Sequence, residues 1–135
     1  MPDADGRGPQ VDPAEDLYRA IHRLDWWNAD VSPPRPRSAA FNWPRFSVSI
    51  ASEIGEDGAI RHLEEVLHSP QGAIVAFNCG DARTLGFDTR RELDPHHPQN
   101  TAHAHVYYDG SNSSRKTRAK KLVTNHCRTV REPCF

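Results

Sequence analysis

Apolar and polar positions alternate most clearly at Phe46, Val48 and Ile50, which are separated by Ser47 and Ser49. That period of two predicts a half-buried strand. Ile60, Leu63 and Leu67 recur at helical spacing and predict an amphipathic helix from about Asp57 to His68, ended by Ser69-Pro70. After Gly72, the run Ala73-Ile74-Val75-Ala76-Phe77 predicts a central strand. Ala102, Ala104, Val106 and Tyr108 alternate with His103, His105 and Tyr107, which predicts a strand over 102–108 ended by Asp109-Gly110. A last helix over about 115–125 starts at Ser113 or Ser114 and turns Ala119, Leu122 and Val123 inward.

The start of the chain admits two readings. Asp12-Pro13-Ala14-Glu15 has the form of a helix start, with a capping Asp, a Pro at the first helical position and a Glu three residues after the cap. With Leu17, Ile21 and Leu24 behind it, this predicts a helix from 13 to about 24. The competing reading makes Leu17–Ile21 a first strand. Residues 28–44 carry Pro33, Pro34, Pro36 and Pro44 and predict a long connection. Residues 79–93 read as irregular. The order of elements gives an α+β fold, a small sheet of three to five strands with two or three packed helices. One domain is expected over residues 12–131, between a disordered tail at 1–11 and a frayed C-terminus at 132–135.

Composition narrows the class. The chain has 135 residues, the size of one ordinary domain, and 36% are hydrophobic, so the core should be lean. No apolar run approaches the ~20 residues of a membrane span. The polar N-terminus lacks the features of a signal peptide, so a cytoplasmic, bacterial-type chain without membrane contact is expected. Cys79, Cys127 and Cys134 are an odd number and make no disulfide framework.

Net charge is −1, yet Arg115, Lys116, Arg118, Lys120 and Lys121 fall within seven residues. They form either a solvated helix face or a contact for nucleic acid or an acidic protein surface. The reading this favours is an accessory or interaction protein that contacts an anionic partner through its basic C-terminal helix. Trp26, Trp27, Phe41 and Trp43 bracket the prolines and either close the core beneath the loop or form a partner surface. His103 and His105 are two apart, so on a strand they share a face. They read as a half-exposed pair or as two ligands of a metal site, and no second ligand pair stands at a spacing that would support the latter. No metal and no cofactor is therefore expected. An enzyme would gather Arg19, Ser47, Ser49, His103 and His105 in one cleft and act on a nucleotide or nucleic acid.

The layout Leu17-Tyr18-Arg19, then Phe46-Ser47-Val48-Ser49, a helix, the strand at 73–77 and the strand at 102–108 resembles small bacterial ADP-ribosyltransferase-like toxin domains of the DarT and RES kinds. Those families place Arg or His on the first strand, Ser, Thr or Tyr on the second and Glu on a late strand. The resemblance implies that Arg19 and a serine at 47 or 49 line a nucleotide site. His105 stands where the glutamate is expected. The resemblance also requires residues 17–21 to be a strand.

Overall fold

The computed structural model describes residues 6–135. Its first long strand, β1 (Asp16–Ile21), buries Leu17, Arg19 and Ile21 on one face and leaves Asp16, Tyr18 and Ala20 half-buried on the other. This corrects the helix expected over 13–24. Leu17 and Ile21 are four apart, a spacing shared by one helical turn and by alternate positions of a strand. Leu24, the third apolar position of that helix, is 69% exposed. The apparent helix start is consumed in a turn instead. The Ala14 amide donates to Asp12 Oδ1 at 2.8 Å, and the Glu15 amide donates to the Asp12 carbonyl at 3.0 Å.

Five further strands join β1: β4 (Arg45–Ile50), β5 (Ala73–Asn78), β6 (Asp88–Arg91), β7 (His103–Tyr107) and β8 (Arg128–Arg131). Their order is β6-β7-β4-β1-β5-β8, with every neighbouring pair antiparallel. A short ribbon of β2 (Trp27–Asn28) and β3 (Arg35–Pro36) lies within the proline-rich connection. The fold is α+β, and its six-stranded sheet exceeds the three to five strands expected. The additions are the two edges, β6 and β8, whose sequences Asp-Thr-Arg-Arg and Arg-Thr-Val-Arg carry no apolar run. An edge strand needs one paired backbone side only, and charge on it discourages further pairing.

The helices are α1 (Ala51–Arg61), α2 (Cys79–Thr84) and α3 (Asn112–His126). Helix α1 begins six residues before the expected Asp57, with Gly55 at a non-helical φ of 70° inside it. It runs into a widened turn at His62–Val66, closed by the Leu67 amide on the His62 carbonyl at 3.0 Å. Ser111 caps α3, accepting from the Ser114 amide at 3.2 Å, ahead of the serines expected to do so. No helix among the described residues is long and apolar enough to cross a membrane.

The two faces of the sheet are covered unequally. Helices α2 and α3 and the long connection cover one face, where Phe41 meets Phe46 at 5.5 Å and Phe77 at 5.8 Å, edge to face. Trp26 and Trp27 are buried in that layer, whereas Trp43 is 40% exposed. On the opposite face, α1 and its widened turn seat Ala59 and Leu63 on Ile74, with Tyr18 and Ala20 beside them. That smaller cluster covers β1 and β5. The part of this face formed by β4 and β7 carries Ser47, Ser49, His103 and His105 instead.

Of the tail expected at 1–11, residues 1–5 lie outside the described residues. The rest is corrected: residues 7–11 run along β6. The Val11 amide donates to the Thr89 carbonyl at 3.0 Å and the Arg91 amide to the Pro9 carbonyl at 2.9 Å. Val11 is 5% exposed, and Arg7 pairs with Asp88 and Asp109 while stacking on the Tyr107 ring. A lone aliphatic residue gave no periodicity by which to foresee this. Of the frayed segment expected at 132–135, the Cys134 amide bonds the Gln71 carbonyl at 2.8 Å, and Phe135 is exposed. The arm approaches β6 so closely that a Cβ added at Gly8 would stand 2.0 Å from the Arg91 carbonyl oxygen. Starting the chain at Asp12 removes one buried valine and two ladder bonds, so it should cost about 2–3 kcal/mol in urea unfolding. Gly8→Ala should lower stability in the same direction. Unchanged midpoints in both variants would show the arm to be dispensable.

Candidate functional site

The ladder between β1 and β4 has only two residue pairs, Leu17 with Ile50 and Tyr18 with Ser49. The next residue of β1 is Arg19, whose guanidinium bonds backbone that a longer ladder would engage. Its Nε and Nη2 donate to the Ala40 carbonyl at 3.1 and 2.9 Å, and its Nη1 donates to the Ser47 carbonyl at 3.1 Å. The Trp26 and Phe46 ring centres lie 5.0 and 5.1 Å from it. No carboxylate among the described residues pairs with this cation. Burial lowers its pKa to about 10, which leaves it charged at neutral pH.

Where the strands part, a cavity of about 180 Å³ is lined by Arg19, Ser47, Ser49 and His103. His22, His62, His97 and Asp94 also line it. Four of the five residues expected to share an enzyme cleft are therefore brought to one cavity. The fifth, His105, lies on the same strand and face as His103, with ring centres 4.6 Å apart, but engages Glu92. Its Nδ1 is 3.1 Å from Glu92 Oε1, which also accepts from the Tyr107 hydroxyl at 2.5 Å. The Gly8 amide donates to Glu92 Oε2 at 3.1 Å, so the N-terminal arm fixes this carboxylate.

His103 is 4% exposed. Its Nδ1 lies 2.6 Å from the Glu92 carbonyl oxygen. A carbonyl only accepts, so Nδ1 carries the proton in this contact. Nε2 is buried and has no hydrogen-bond partner. Ser49, paired with His103 across the β4–β7 ladder, accepts from Asn100 Nδ2 at 3.1 Å. Asn100 Oδ1 in turn accepts from the Ala102 amide at 3.2 Å. The loop between β6 and β7 thus sets both side chains.

The surroundings of His22, His62 and His105 disfavour charge on their imidazoles. Burial lowers the pKa of His22, and the nearby Arg19 adds to it. Burial likewise lowers that of His62, helped by His97 and His103. His105 is lowered by burial and by His103, against the pull of Glu92. For Asp94, burial acts upward but is outweighed by the His96 amide at 2.9 Å and the neighbouring imidazoles, so its carboxyl sits low. No group of three His, Cys, Asp or Glu among the described residues is arranged to hold a metal ion.

The basic helix lies away from this cavity, on the sheet's other face. Lys116, Lys120 and Lys121 are exposed and Arg118 is half-buried. Arg115 Nε donates to Asn42 Oδ1 at 3.0 Å. None of the five has an ion-pair partner among the described residues. Across from Lys120, the proline-rich connection supplies Arg35 and Arg37 to a groove of about 420 Å³. A second concavity of about 520 Å³ shares Arg35, Pro36, Val123 and Thr124 with it and reaches Arg128 and Glu132.

Sequence reasoning missed Glu92, Asp94, Asn100, His22 and His62 as parts of the site. Each stands alone among unrelated neighbours, and only the fold brings together the end of β1, the turn after α1 and the loop between β6 and β7. His97 was legible as one of two adjacent histidines in a turn that could supply a third ligand to a His103–His105 metal site. Comparison with family models, curated proteins and solved structures gives no match.

The depressed imidazoles make stability depend on pH with a definite sign. His22, His62 and His105 bind protons less readily when folded than at their ordinary value of 6.5. Below that pH the unfolded chain takes up more protons, so stability should fall as pH drops from 7 to 5. Urea midpoints measured across that range check it, and His62→Gln should flatten the slope. A midpoint that rises on acidification contradicts the lowered affinity of these rings for protons.

Proposed function

We propose that the cleft between β1 and β4 binds a ribosyl nucleotide in the manner of an ADP-ribosyltransferase-like domain. The observation that carries this is the meeting of Arg19, Ser47, Ser49 and His103, drawn from three adjacent strands, at one cavity. Residues 17–21 form the strand that the resemblance requires. The serine hydroxyls and imidazole suit a sugar, while the Arg19 guanidinium, bonded to the Ala40 and Ser47 carbonyls, holds open the gap between the strands. At about 180 Å³ the cavity holds one moiety of a nucleotide, with the remainder lying outside. On β7 histidines occupy the place of the families' glutamate, and the carboxylate that meets this face, Glu92, is bonded to His105 and Tyr107. The reading therefore assigns binding and no transfer step. Titration calorimetry with NAD should show saturable binding. Ser47→Ala and Ser49→Ala should each weaken it roughly tenfold, the worth of one hydrogen bond of about 1.4 kcal/mol. Absence of binding at millimolar NAD by a folded chain removes the reading.

A second reading rests on a separate observation, the convergence of the basic helix with the arginines of the proline-rich connection. Arg35, Arg37 and Lys120 line a groove with no carboxylate, and the adjoining concavity adds Arg128 and a single acid, Glu132. Such a track suits an extended polyanion, and Lys116 stands one helical turn before Lys120 on the same row. Under this reading the chain is an interaction module for nucleic acid, with acidic protein surfaces as the competing partner. Binding of a single-stranded oligonucleotide should weaken with salt on a log–log slope of a few. Lys116→Gln with Lys120→Gln should reduce that slope by about 1–2 without changing the unfolding midpoint. Salt-independent binding, or none at low salt, leaves α3 as a solvated face.

A further inference from the structure

We infer that His103 and Ser49 together form a hydroxyl-recognition pair, with His103 Nε2 accepting the proton of a ligand hydroxyl whose oxygen accepts from Ser49. This deepens the cleft reading and rests on it. The two residues face each other across the β4–β7 ladder and both line the cavity. The Glu92 carbonyl, 2.6 Å from His103 Nδ1, holds the ring proton on that nitrogen. Nε2 is buried and without a partner, and in the neutral tautomer that this contact favours it is a bare lone pair. Buried polar atoms in native folds nearly always find partners, so an orphan at the wall of a cavity marks the place of a missing one. Ser49 Oγ already accepts from Asn100 at 3.1 Å, and its own proton has no acceptor among the described residues. The pair therefore offers one acceptor and one donor.

A hydroxyl is the group that answers both, since it donates one hydrogen bond and accepts others. An ionised carboxylate or phosphodiester oxygen has no proton to give and would set lone pair against lone pair at Nε2. The His103–Ser49 pair is thus suited to a neutral sugar hydroxyl. In the families that the chain resembles, an anionic carboxylate stands on the late strand. Here an imidazole, oriented by a backbone carbonyl, occupies that strand and offers selection by hydrogen-bond direction.

The test uses the full chain labelled with ¹⁵N at histidine. Free protein should show His103 protonated at Nδ1 and bare at Nε2, and a proton on Nε2 would overturn the inference. Saturating NAD should shift the Nε2 resonance upfield, as for a ring nitrogen that accepts a hydrogen bond, while sulfate, which has no proton to give, should leave it in place. Two substitutions separate recognition from structure. His103→Asn keeps a donor for the Glu92 carbonyl but lacks the distant acceptor, and NAD affinity should fall about tenfold with the fold intact. His103→Gln restores an acceptor near the position of Nε2 and should recover part of the loss. If NAD binds while the Nε2 signal and the Asn variant's affinity are unchanged, the pair has no such role and the cleft reading stands. If the wild-type chain does not bind NAD, both fall together.

Discussion

Arg19 is a cation enclosed by protein, and enclosing it sets the terms for the surrounding structure. A buried charge without a carboxylate must be solvated by dipoles and π-faces. Here the Ala40 and Ser47 carbonyls supply the dipoles, and Trp26 and Phe46 supply the faces. The first carbonyl belongs to the long connection and the second to β4, so one side chain ties the loop to the sheet. Because the guanidinium takes the Ser47 carbonyl, the β1–β4 ladder stops after two pairs. The cleft is the geometric result. Replacing the arginine with an apolar residue would leave both carbonyls without these donors, and a longer β1–β4 ladder would engage only that of Ser47.

The unequal covering of the two sheet faces explains why polar side chains gather where they do. The aromatic layer under α2, α3 and the connection supplies most of the apolar burial. Helix α1 then needs only a small contact on the opposite face and takes it over β1 and β5. The β4–β7 part of that face is left to serines and histidines, whose hydrogen-bonding groups are met by the loop between β6 and β7. Asn100 holds Ser49, and the Glu92 backbone holds His103. Orientation in the cleft thus comes from a loop whose ends are fixed by a strand pair, a more rigid support than a loop on its own.

How much of this was legible depended on whether a signal was local. The alternation at Phe46–Ile50 and at 102–108 gave β4 and β7 directly, and the apolar run at 73–77 gave β5. The same alternation placed Ser47 with Ser49, and His103 with His105, on shared faces. At β1 the local signal misled, because the Asp12-Pro13 turn imitates a helix start and Leu17 and Ile21 fit both periods. The edges β6 and β8 bury too little to show a pattern, and the arm at 7–11 binds by backbone contacts that any sequence can make. Glu92 and Asn100 act through tertiary neighbours, so nothing beside them in the chain marks their roles.

The pairing of the arm with β6 has a consequence for biosynthesis. Gly8 and Arg90 are 82 positions apart, and Arg7 and Asp109 are 102 apart. Residues 7–11 are synthesised well before the far side of the sheet and must wait for it before they find their partners. Contacts so distant in sequence form late, because the intervening loop entropy is lost before they return anything. Until then the outer edge of β6 presents unpaired amides and carbonyls to other nascent chains. Four charged or polar side chains in a row on that strand, Asp88-Thr89-Arg90-Arg91, are what keep the unfinished edge from being a template for misassembly.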